Sequence, residues 1–209
     1  MSRRAPGPPC PSRVRERSST DRRVAAINEL TPWFNVPAAP GFPTLGPVTR
    51  NSRPLAVFDL DNTLSDARHR QRFLERAPRD WDAFFAAAPK DPPLAPGVEL
   101  CLEAAGDCDV VYLTGRPERC REDTVVWLAD HGLPKGPVHM RRNQDRRPAR
   151  VTKLEILRRL SATREIRMLV DDDELVCEAA ERAGFRVVRA RWAESSEALV
   201  EAQEKEGRT

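Results

Sequence analysis

An apolar run that ends in two carboxylates constrains this chain more than any other feature. Leu55-Ala56-Val57-Phe58 is followed by Asp59-Leu60-Asp61-Asn62-Thr63-Leu64. The run is short and rich in side chains that suit a pleated core, so it reads as a buried strand. Asp59 and Asp61 follow at i, i+2, where the strand should end. An open α/β sheet places its active site in the crevice at the carboxyl ends of its strands.

The rest of the chain alternates between helix and strand signals. The periodicity predicts helices over 66–77 and 79–88, the second burying Trp81, Phe84 and Phe85. Pro96 opens a helix to 105, since proline is tolerated in a first turn. A strand over 109–113 leads into a turn at 114–117. A helix follows over 118–131, with Val125, Val126 and Leu128 on its apolar side and Gly132 closing it. A short strand at 138–140, a basic loop over 141–150, a helix over 151–160 and a strand over 166–170 come next. Helix 174–183, strand 185–190 and a charged helix from 193 complete the pattern. Such alternation argues for an α/β fold, a central parallel sheet with helices on both faces.

A chain of 209 residues buries one sizeable core. Residues 1–53 carry nine Arg against Glu16, Asp21 and Glu29, a balance of +6. The whole chain carries +3, which leaves −3 for the remainder. Residues 1–53 therefore read as a Pro/Arg-rich, largely disordered extension, with a possible short helix over 24–30 and Trp33 and Phe34 as anchors. The basic tail is either a nucleic-acid contact or a solvated leader. The five Cys form neither a CxxC pair nor a Cys/His cluster, which implies no disulfide framework or structural zinc and fits a reducing, cytoplasmic setting. No apolar stretch approaches the ~20 residues needed to cross a bilayer, and Met1-Ser2-Arg3-Arg4-Ala5-Pro6 lacks the apolar core of a secretory signal.

Asp59-Leu60-Asp61-Asn62-Thr63 resembles the DxDxT signature of the haloacid dehalogenase (HAD) superfamily of phosphotransferases. The family usually has Gly where Asn62 stands, and Asn is the next best residue at positive φ. The resemblance implies a Rossmann-like fold with the first strand between those ending at Leu113 and Val170, bringing Asp59, Thr114 and Asp171 together. It implies that Asp59 is a nucleophile forming an aspartyl-phosphate, and that Asp61 protonates the leaving group and then activates water. Thr114, with the N–H of Gly115, resembles the second motif and would hold phosphoryl oxygens; Asn62 and Arg116 join these as substrate contacts. Lys153 resembles the third motif and would balance charge. A Mg²⁺ would sit between Asp59, the backbone oxygen of Asp61, and Asp171 or Asp172, while Asp173 caps the next helix.

Met140-Arg141-Arg142, Asp145-Arg146-Arg147 and Lys153, with Val170-Asp171-Asp172, Val176, Ala180, Gly184 and Phe185, resemble the 3′-phosphatase domain of phage-type polynucleotide kinase/phosphatase. The similarity covers about 54–192, with 65–92 as a small helical cap insert and 193–209 as a C-terminal helix. The family often has Arg where Asp173 stands. No GxxxxGK[ST] occurs, so a P-loop kinase half is missing. Arg142, Arg146 and Arg147 read either as contacts to a nucleotide phosphate or as a solvated loop. Trp81, Phe84 and Phe85 read as core before they read as base-stacking platforms. The expected function is a Mg²⁺-dependent phosphomonoesterase acting on a nucleotide or nucleic-acid 3′-phosphate. The alternatives are a small-molecule or 5′-nucleotide phosphatase, or a non-catalytic nucleic-acid-binding protein using its basic tail.

Overall fold

The computed structural model describes residues 53–193. The expected extension, its helix and anchors, and the terminal helix lie outside the described residues. The chain divides into units Met1–Thr44 and Leu45–Thr209, and the described residues belong to the second. Five parallel strands form one sheet in the order β3-β2-β1-β4-β5: β1 (Leu55–Phe58), β2 (Asp109–Pro117), β3 (Val138–Arg141), β4 (Ile166–Asp171) and β5 (Val187–Arg189). The central strand is the one with no polar residue, because both of its faces are covered. Its neighbours are β2 and β4, as the resemblance implied.

Alternate strand residues point to opposite faces. Leu55 and Val57, with Val111, Leu113 and Leu169, pack against Leu157 of α4 (Ala149–Ser161) and against Val176 and Ala180 of α5 (Glu174–Arg182). On the other face, α2 (Ala95–Asp107) buries Leu100, Cys101 and Ala104, and the Cys101 thiol approaches the Tyr112 hydroxyl at 4.0 Å. Each fully buried Leu or Phe contributes about 1.5–3 kcal/mol. Among the described residues no helix is long and apolar enough to cross a membrane.

The cap insert differs from expectation. In place of a helix over 66–77 there is a short 3₁₀ segment, Arg68–Phe73. Asp66 accepts the Arg68 N–H at 3.0 Å, and Arg70 is drawn wholly inside, so tertiary contacts override the helical pattern. The second helix is also shorter: α1 (Trp81–Ala86) is capped by Asp80, which accepts the Ala83 N–H, and a 3₁₀ turn, Ala88–Lys90, follows. Trp81, Phe84 and Phe85 are core. They pack on one another and on Leu74, Cys120 and Met140.

Two further expectations shift. Residues 114–117 are not a free turn but the end of β2. Pairing with β3 jumps from Leu113↔His139 to Pro117↔Arg141, so Thr114, Gly115 and Arg116 form a bulge, a device that re-aims side chains at a strand end. In α3 (Arg121–Asp130), Val125 and Val126 face outward while Thr124, Trp127 and Leu128 are buried. The Trp127 indole N–H donates to the Asp91 carbonyl at 2.8 Å, which fixes that face inward.

Candidate active site

The parallel register builds the site. Phe58 lies beside Tyr112 and Val170, so Asp59, Thr114 and Asp171 emerge at the same end of three adjacent strands. The Asp59 N–H donates to the Val170 carbonyl at 2.9 Å, continuing the pairing past β1. From α4, Lys153 Nζ reaches both strand ends, 2.8 Å from Asp59 Oδ1 and 2.8 Å from Asp171 Oδ2. Asp59, Asp171 and Asp172 each offer an oxygen within 4.8 Å of the others. Asp171 spends its second oxygen on the Asp173 N–H at 3.1 Å. Asp172 makes no hydrogen bond or ion pair among the described residues. Asp173 caps α5 by accepting from the N–H groups of Leu175 and Val176.

A second group of charges lies beside the first. Asp61 accepts from Arg116 Nε at 2.8 Å and pairs with Arg70 at 2.6 Å. Asp91 accepts three bonds from Arg70, at 2.9, 3.2 and 2.8 Å, and one from Arg116 at 3.0 Å, with His69 Nε2 2.8 Å from its Oδ1. Ser65 Oγ joins Arg116 at 3.0 Å and Asp61 at 3.2 Å. The Arg70 guanidinium also lies over the Phe84 ring, 4.2 Å from its centroid. Two carboxylates and two guanidiniums thus balance one another inside the protein.

Residues 54–193 match the polynucleotide kinase PNKP phosphatase domain. The chain belongs to this family. It is thereby a HAD-type phosphatase domain of the hydrolase class, related to the 3′-phosphatase of polynucleotide kinase/phosphatase. No curated protein sequence matches it. Two solved structures of the Pnkp1/Rnl/Hen1 complex, the second described as an RNA repair complex, contain similar chains. They give TM-scores of 0.57 and 0.55 at 23% identity, covering 76% and 81% of this chain and 53% and 54% of those chains. This chain therefore spans about half the length of both. The class C acid phosphatase from Bacillus anthracis is similar at TM-score 0.53 and 16% identity, over 68% of this chain and 67% of that one. These likenesses show the shared fold.

Electrostatics separate the two carboxylates of the family signature. Burial pushes Asp59 upward, and Lys153 opposes it. Burial pushes Asp171 up to about 7 against Lys153, with Asp59 adding to the rise. Asp172 is raised well above the usual range by burial and by Asp59 and Asp171. Burial also acts on Asp61, but the guanidiniums of Arg116 and Arg70 outweigh it and hold that carboxyl well below the usual range. Burial would lower Lys153, but Asp171 and Asp59 outweigh it and keep the ammonium charged. Ionised together, the three carboxyls would carry two negative charges more than Lys153 balances, and their oxygens form a hard donor set that suits a divalent cation.

The structure brings Asp59, Asp61, Thr114, Lys153, Asp171 and Asp172 to one sheet edge. Asn62 sits in the left-handed region at φ 59, as the turn requires, and its buried side-chain amide has no hydrogen-bond partner among the described residues. Gly115 lies in the bulge. Arg116 is buried on Asp61 and Asp91 rather than open to solvent. Arg142 lines a cleft that also includes Thr114 and Lys153. Arg147 is engaged by Asp145 and Glu155, and Arg146 lines a second, smaller cavity with Phe85, Pro117 and Arg119. Sequence reasoning missed Arg70, Asp91 and Ser65. Arg70 stands in an Arg-rich run that looks solvated, and Asp91 stands in a proline turn; neither carries a local signal of burial.

Proposed function

We propose that this domain hydrolyses the 3′-phosphate of a nucleic-acid end through a phosphoryl group carried on Asp59. The observation that supports this best is Lys153 bridging Asp59 and Asp171 at the ends of adjacent strands. An Asp59 oxygen attacks phosphorus, the bond from phosphorus to the 3′ oxygen breaks, and an acyl-phosphate forms. Water then attacks phosphorus, the bond to Asp59 breaks, and inorganic phosphate leaves. The second step needs a base, and Asp61, held ionised by Arg116 and Arg70, is in the form that accepts the water's proton. Giving a proton to the leaving oxygen in the first step asks for the opposite form, so Asp61 takes a proton from the monoanionic phosphate ester before the ester bond breaks, hands it to the 3′ oxygen as that bond breaks, and is left ionised for the second step. Thr114 Oγ and the Gly115 N–H are the donors for phosphoryl oxygens, and Lys153 neutralises the charge shared by phosphate and Asp59.

Asp59, the backbone oxygen of Asp61, and Asp172 would hold Mg²⁺, since Asp171 already engages Lys153 and the Asp173 N–H. When bound, Mg²⁺ supplies further charge neutralisation to the phosphoryl oxygens. The similarity to chains of an RNA repair complex supports a nucleic-acid end as substrate. Residues 1–53 add positive charge for contact with a strand.

The test is phosphate release with Mg²⁺ from a 3′-phosphorylated oligonucleotide, its 5′-phosphorylated isomer, mononucleotides and sugar phosphates. Selective release from the 3′-phosphorylated strand is expected. Release from sugar phosphates or 5′-nucleotides alone would move the function to small molecules. Strand binding without any turnover, lost on deletion of 1–53, would make the protein a binding module.

A further inference from the structure

Next to Thr114 and Lys153 lies a cleft of about 230 Å³ between β3 and the start of α4. Because it shares those two residues with the site, it begins where a bound phosphoryl group ends. Its volume falls below the roughly 300–1,000 Å³ of pockets that enclose a drug-sized ligand. It suits one sugar-phosphate unit and not a duplex. No Phe, Tyr or Trp lines it; its one aromatic ring is the half-buried His139 imidazole, so it offers no broad platform on which a base would stack.

Its charge is unevenly committed. Arg121 is held by both oxygens of Glu118, at 2.7 and 2.6 Å. Arg147 is held by Asp145 and Glu155, and Arg159 by Glu155 at 3.1 Å. Arg142 is exposed at the cleft, and its side chain makes no ion pair or hydrogen bond among the described residues. His139 reports the same field: burial, then Arg159 and Arg121, push its imidazole below its ordinary value. A cleft with surplus positive charge and no Phe, Tyr or Trp in its wall favours phosphate over base edges.

We infer that this cleft takes the phosphodiester on the 5′ side of the terminal nucleotide, with Arg142 as its anion contact. The strand end is then recognised by two successive phosphates and not by its base. This inference rests on the phosphatase reading of the Asp59 site.

The experiment compares kcat/KM, with Mg²⁺, for a nucleoside 3′-monophosphate and for a dinucleotide 3′-phosphate ending in the same nucleoside. Both substrates are measured with the wild-type full chain and with Arg142→Gln. A charge-assisted hydrogen bond corresponds to about a tenfold or larger preference for the dinucleotide. That preference should appear in KM, persist for all four terminal bases, and shrink toward one in Arg142→Gln. Equal kcat/KM for the two substrates in the wild type would overturn the inference and leave the phosphatase standing. A preference that Arg142→Gln does not alter would also overturn it. Turnover of neither substrate would overturn the phosphatase reading, and this inference with it.

Discussion

Asp91 and Asp61 grip the same two buried guanidiniums, those of Arg70 and Arg116. The first carboxylate comes from the end of the 65–92 segment and the second from the turn after β1, so the ion cluster ties that segment to the candidate site. Removing one member of a buried charge group leaves the others uncompensated, at a cost of about 3–5 kcal/mol. Asp91→Ala should lower the unfolding free energy by that amount, read from urea denaturation. An unchanged midpoint would show that the cluster does not hold this segment in place.

Among the described residues, Lys153 is the one ammonium placed between Asp59 and Asp171. Lys153→Met keeps the volume and removes the charge. Loss of one preorganised donor at a reacting centre costs about 10²–10³ in kcat. The variant should show that loss in steady-state phosphate release, and a drop of less than tenfold would remove Lys153 from the chemistry.

Gly97 approaches the turn after β1 from α2. A Cβ there would stand 2.0 Å from the Thr63 carbonyl oxygen, which also accepts the Trp192 indole N–H at 2.9 Å. Replacing glycine in a helix usually stabilises by up to about 1 kcal/mol. Here the clash is with backbone, so Gly97→Ala should destabilise by about 1–3 kcal/mol and slow turnover by displacing the turn. A raised thermal midpoint with full activity would contradict this.

Much of this was legible in the sequence. The run from Leu55 to Phe58 is short and unbroken, so its burial and the position of Asp59 followed directly. The strand order around it came from the resemblance, and the parallel register bears it out. The bulge at Thr114–Arg116 was not legible, because it depends on how β3 pairs with β2. Arg116 looked like a substrate contact for the same reason. Its partner Asp91 is 25 residues away in sequence, and only the packing of the insert brings them together. Hydrophobicity alone places Val125 and Val126 inside, whereas the Trp127 indole bond turns the helix the other way.

The thiol of Cys101 supplies a pH prediction. Burial pushes it up to about 12, with the Tyr112 hydroxyl opposing. Its folded value is raised, so the stabilisation is complete below the unfolded value near 9 and is lost as pH rises toward 12. The slope for one group is about 1.4 kcal/mol per pH unit. Urea stability of the wild type should therefore fall more steeply above pH 9 than that of Cys101→Ala. Parallel profiles would contradict the prediction.

The most direct measurement is an acid quench of the enzyme during turnover of a 3′-³²P-labelled oligonucleotide, followed by peptide mapping. The label should reside on the peptide bearing Asp59, and Asp59→Asn should neither acquire label nor release phosphate while remaining folded. Sustained phosphate release by Asp59→Asn, or label on another residue, would contradict the assignment of Asp59 as nucleophile.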